Sequence, residues 1–178
     1  MPTLRQVLEL TQQAPKMLLN IEMKGPKNPD VLKTYDIAKA CTPVVGLIEE
    51  FKIADRTILS SFTRQILDAM IKLSPKRQFK ILFLKDDNGK QSAEYDVPQG
   101  MQGVNVDLHY LQQNVIRETQ DSGSQLGVWY SKKRNEETEP VYDLVFGRTG
   151  VQVDYFYSDH PLEAMKQRSR IMRLLKGI

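Results

Sequence analysis

Apolar residues in this chain switch repeatedly between a spacing of two and a spacing of three to four, and that switching constrains the fold more than any other feature. Leu4, Val7 and Leu8 recur at helical spacing behind Thr3 and Gln6, which have the form of a capping box. They predict a helix over residues 4–13, broken before Pro15. A strand is predicted over 17–24, ended by Gly25-Pro26, and a second helix over 31–41, with Pro43 in the break after it and 44–51 as a further turn or two. Thr57 to Phe62, Phe79 to Leu84, Gly127 to Tyr130 and Val151 to Tyr157 read as strands. Helices fit 65–73, 108–120, 141–146 and 162–175, and Val104-Asn105-Val106 reads as a short strand. Asp86-Asp87-Asn88-Gly89 is a turn signal inside a polar loop from Lys85 to Gln102. Helices alternating with strands predict an α/β fold with parallel strands, covered on both faces.

The totals narrow the class. A chain of 178 residues with 40% hydrophobic and 26% charged residues is long enough for one domain, 1–178, and is balanced as a globular protein is. A net charge of +3 gives no reason to expect nucleic acid as a partner. One cysteine, Cys41, makes neither an intrachain disulfide nor a cysteine metal site, and it reads as a buried structural thiol. No apolar run reaches the roughly 20 residues that span a bilayer, and the N-terminus lacks a signal peptide's apolar core, which favours a cytoplasmic location.

One strand carries chemistry. In Leu18-Leu19-Asn20-Ile21-Glu22-Met23-Lys24-Gly25-Pro26, alternation puts Leu19, Ile21 and Met23 on one face and Asn20, Glu22 and Lys24 on the other. An open sheet covered by helices gives the polar face no polar partner. The C-terminal mouth of a (β/α) barrel does. There Glu22 is suited to a divalent cation and Lys24 to an anionic group such as phosphate. A solvated edge strand accounts for the same pattern, and the residues alone leave both readings open.

Four stretches in order resemble the glycerophosphodiester phosphodiesterase family: Leu19 to Pro26, Ile58-Leu59-Ser60-Ser61-Phe62, Gly127-Val128-Trp129, and Val153 to Pro161. The resemblance spans residues 2–161. It implies a (β/α)₈ barrel that hydrolyses glycerophosphodiesters, or a lysophospholipid-type substrate, in lipid metabolism, with calcium or magnesium at the phosphate. It also implies Glu22 as a metal-ligating carboxylate, Lys24 as the catalytic, phosphate-facing lysine, and Phe62 and Trp129 as substrate-binding aromatic walls.

The departures shape the expectation. The family's His-Arg, Glu-x-Asp and His-Asp motifs have no counterpart here. Tyr130, Ser131 and Gln152 depart from its usual pattern, and His109 and His160 read as surface or turn residues. One carboxylate falls short of the about six oxygens a hard cation takes. The expectation is therefore a partial (β/α)₈ barrel, about its last five β/α units, with an incomplete cation site. Alone it is inactive or nearly so, and belongs to a longer chain or acts as a module that binds phospho-ligands or a protein. Two open sheet edges make a homo-oligomer, or a missing N-terminal segment, a natural partner.

The ends of the chain supply two further expectations. Asp159 is placed to cap the last helix. That helix sets Lys166, Arg168, Arg170, Arg173 and Lys176 against Leu162, Met165, Met172 and Leu175. It reads as an outer barrel helix with cations at its C-terminal end, membrane contact being the lesser alternative. Lys132 to Glu139 reads as a solvated, charged insertion.

Overall fold

The computed structural model describes residues 1–85, 97–108, 111, 113–129, 138–148, 150 and 153–177. They form two compact units, Met1–Phe83 and Leu84–Ile178. The predicted turn at Asp86 to Gly89, His109, Tyr130, Ser131, Gln152 and most of the insertion at 132–139 lie outside the described residues.

In the first unit, helix α1 (Leu4–Thr11) is closed by the predicted capping box. The Thr3 side chain accepts from the Gln6 N–H, and the Gln6 side chain accepts from the Thr3 N–H at 2.9 Å. Strand β1 (Leu19–Glu22) pairs in parallel with β2 (Thr57–Ser61), and β2 with β3 (Lys80–Lys85). Arg56, at the entry to β2, donates to the carbonyls of Thr11, Ala14 and Met17 at 3.4, 3.3 and 3.0 Å. One guanidinium thus satisfies the end of α1 and the chain leading into β1.

One expectation fails between these strands. Instead of a helix over 31–41 that breaks at Pro43, the chain forms α2 (Pro29–Thr34), turns at Tyr35, and runs α3 from Ile37 to Glu50 straight through Pro43. The Asp36 side chain starts α3 by accepting from the Lys39 N–H at 2.9 Å. Cys41, Val44, Val45 and Ile48 then bury one continuous face across the proline. An interior proline costs about 3 kcal/mol. Each buried aliphatic side chain returns about 1.5–3 kcal/mol, so burial wins. Helix α4 (Arg64–Leu73) packs on α3 through Ile66, Leu67 and Met70. Cys41 is fully buried beneath it, its thiol pushed up in pKa by burial.

In the second unit, β4 (Gly103–Asp107) pairs in parallel with β5 (Gln125–Trp129), and β5 with β6 (Tyr155–Tyr157). The described residues hold six strands in all, β4 lying on the short strand predicted at Val104-Asn105-Val106. Helices α5 (Gln113–Asp121), α6 (Glu139–Val145) and α7 (Pro161–Lys176) complete the unit. Phe156 meets Tyr142 and Phe146 edge-on, at 6.2 and 5.8 Å between ring centres. Phe156 therefore faces the helices. By alternation and register, Val104, Val106, Leu126 and Val128 share that face, while Asn105, Asp107, Gly127, Trp129, Tyr155 and Tyr157 take the other.

Helix α7 corrects two further expectations. Its cap position is His160, whose side chain makes no capping bond; Ser158 accepts from the His160 N–H at 2.8 Å. Asp159 is therefore not the cap, and Pro161 at the first helical position has no N–H to satisfy. Burial falls on Ala164 and Ile171, whereas Leu162 is 83% exposed and Met165 and Leu175 are also exposed. Arg170 pairs with Glu139 at 2.8 Å and Asp143 at 3.2 Å, holding α7 to α6. Among the described residues, no helix is long and apolar enough to cross a membrane.

Candidate functional site

The alternation read from the opening strand is present in space. Leu19, Ile21 and Met23 are half-buried, while Asn20, Glu22 and Lys24 are exposed. Register carries the polar face onto β2, where Ser60 stands beside Glu22 and donates its hydroxyl to Asn20 Oδ1 at 3.0 Å. The ladder continues one residue past β1, with the Met23 N–H donating to the Ser60 carbonyl at 2.8 Å. The Ser61 hydroxyl donates to the Met23 carbonyl at 2.6 Å and accepts from the Thr63 N–H at 3.0 Å.

Gly25 then passes against the start of α4. A β-carbon there would lie 2.6 Å from Thr63 Oγ1 and 3.1 Å from Ile66 Cδ1. The exit of β1 is thus held on three sides, and it carries the candidate charges. Lys24 Nζ lies 3.9 Å from Glu22 Oε1, with side chains 79% and 33% exposed. That is a charge contact rather than a hydrogen bond, so the ammonium keeps its donors for an incoming anion. Phe62 follows directly after β2 and is 44% exposed.

Trp129 belongs to the second unit, where it ends β5 beside Asp107 and Tyr157 in register and is half-buried. The structure therefore brings Glu22 and Lys24 together at one strand exit, with Phe62 in the same unit, and sets Trp129 on the polar face of the other. His160 is exposed at the start of α7. Among the described residues, no three His, Cys, Asp or Glu side chains gather as a cation centre needs. Glu22 alone does not fit a divalent cation, so no chemical step is routed through one here.

Three residues of this kind were missed in the sequence. Asn105 and Asp107 are buried polar positions of β4, and Tyr157 is a half-buried phenol of β6. The signal was available: Val104-Asn105-Val106-Asp107 alternates as Leu19 to Glu22 does. Burial pushes the Tyr157 phenol up to about 12, against a smaller opposing pull from the Asn105 amide.

No protein-family model matches the chain, and no curated protein matches it. Solved structures do. A candidate glycerophosphodiester phosphodiesterase from Galdieria sulphuraria is 20% identical with a TM-score of 0.75, matching 94% of this chain and 64% of its own. The glycerophosphodiester phosphodiesterase of Parabacteroides distasonis is 22% identical with a TM-score of 0.69, over 95% and 65%. An Oleispira antarctica phosphodiesterase, solved with its product sn-glycerol-3-phosphate, is 17% identical with a TM-score of 0.66, over 94% and 61%. The chain thus spans less than two thirds of each. The fold is α/β, a partial (β/α)₈ barrel matching part of a glycerophosphodiester phosphodiesterase domain.

Proposed function

We propose that this chain serves the hydrolysis of phosphoric diesters, with a glycerophosphodiester as substrate and glycerol 3-phosphate plus an alcohol as products. The observation that carries the reading is the Glu22–Lys24 pair, on the polar face and at the C-terminal exit of β1. In (β/α) barrels that end of the strands is where active sites form.

In this reading Lys24 is the phosphate contact. Its exposed ammonium neutralises charge on a non-bridging phosphate oxygen, and a point charge with three donors suits that task. Glu22, one side-chain reach away, keeps the ammonium near the strand exit and offers one carboxylate to the site. Phe62, in the same unit and exposed just after β2, supplies an apolar wall for the parts of the substrate that carry no charge. Calcium or magnesium, as the resemblance implies, would polarise the phosphate. Among the described residues no ligand cluster for it gathers, so no step is routed through it. The place in lipid metabolism follows from the substrate class and is part of the same proposal.

The test is release of glycerol 3-phosphate from glycerophosphocholine by the protein purified from its native source, with calcium or magnesium supplied and then withheld. Cation-dependent release that is lost in Glu22→Gln supports the reading. No release, or release unchanged in Glu22→Gln, contradicts it.

A further inference from the structure

Two polar groups of the second unit converge over a glycine. Asn105 stands opposite Gly127 in the β4–β5 register, and Tyr157 pairs with Trp129 one step further along. A β-carbon on Gly127 would overlap Asn105 Oδ1 and lie 3.3 Å from Tyr157 Cε2. Asn105 is 0% exposed. Neither of its amide atoms, nor the buried Tyr157 hydroxyl, has a partner in hydrogen-bond geometry among the described residues, although the Asn105 side chain stands near enough to the phenol to lower its pKa slightly. Buried amides and hydroxyls are as a rule hydrogen bonded, so three such atoms beside one another mark a site rather than a coincidence.

The chemistry of the three atoms selects what fits. The amide presents a donor nitrogen and an acceptor oxygen, and the phenol can donate or accept. A hydroxyl oxygen, which donates and accepts at once, answers all three. An anion does not, because it would face Asn105 Oδ1 and the Asp107 carboxylate two residues on along the same strand face.

We propose that Asn105 and Tyr157 together hold one neutral hydroxyl oxygen, either of a water molecule or of an alcohol group on a bound ligand. Waters that bridge buried polar groups make two to four such bonds, and an alcohol oxygen entering the site would take over the same partners. The site lies wholly in the second unit and uses neither Glu22 nor Lys24. Its failure would leave the phosphate reading untouched, and the reverse also holds.

Crystals of the wild-type chain, grown without polyol and then soaked in glycerol, read the site directly. A lone oxygen within hydrogen-bond distance of both Asn105 and Tyr157 in both crystals supports the proposal and assigns the site to water. Its replacement by a glycerol hydroxyl supports the proposal and assigns the site to a ligand alcohol. A direct Asn105–Tyr157 hydrogen bond with no third oxygen, or each group bonded to a separate protein partner, overturns it. Thermal denaturation of Tyr157→Phe gives a second reading. A midpoint lowered by several degrees is expected when a bonded hydroxyl is removed, and an unchanged or raised midpoint overturns the proposal.

Discussion

The Ser61 hydroxyl donates to the Met23 carbonyl at 2.6 Å, and through it the end of β2 fixes the point where β1 delivers Lys24. The same oxygen accepts from the Thr63 N–H at 3.0 Å, so one buried side chain joins two strand exits to the start of α4.

Ser61→Ala removes both bonds and leaves a backbone acceptor and a backbone donor short of a partner. The expected loss is about 1–3 kcal/mol of unfolding free energy. Urea denaturation checks it, with the midpoint shifting and the slope unchanged. A midpoint equal to that of the wild type would remove Ser61 from its linking role.

Glu22→Gln has an effect whose sign discriminates. Without added cation, Glu22 repels an anion arriving at Lys24, so the variant should bind sn-glycerol 3-phosphate a few-fold more tightly in chelator. The gain is small because Glu22 is partly solvated and its field is screened. Calorimetric titration at low ionic strength measures it, and weaker binding by the variant would mean Glu22 holds the ligand directly.

Gly127→Ala places a carbon where Asn105 Oδ1 stands. The amide must turn away or the strands must shift, at about 1–3 kcal/mol. The measurement is denaturant unfolding beside Gly46→Ala, where an added carbon meets nothing within 4 Å. Equal stability of the two variants would contradict the close approach.

Alkaline unfolding follows from Tyr157, whose phenol burial pushes up to about 12. An exposed phenol in the unfolded chain loses its proton near pH 10. Above that point the folded state still binds a proton that the unfolded state has released, so stability falls as pH rises from about 10 to about 12. Tyr157→Phe should flatten that part of the curve, and an unchanged slope would show that the phenol titrates as an exposed one.

Much of this molecule was legible because two periods, two and about 3.6, write themselves into the order of residues. Leu19 to Lys24 shows its polar face in the sequence and keeps it in space. Pro43 misled because a local rule was weighed without the apolar face, Cys41 to Ile48, that spans it. Asp159 misled because α7 takes its cap position one residue later, at His160. In α7, Leu162, Met165 and Leu175 look like the inward stripe, yet packing takes Ala164 and Ile171. The convergence of Asn105 and Tyr157 needed three strands in register, a long-range fact that no local spacing contains.

The most direct test of the account is titration of the wild-type chain, Lys24→Ala and Lys72→Ala with sn-glycerol 3-phosphate. Saturable one-to-one binding is expected, weakened by about tenfold or more in Lys24→Ala through the loss of one charge-assisted contact, while Lys72→Ala matches the wild type. Absence of binding by the wild type, or equal affinity in Lys24→Ala, would contradict it.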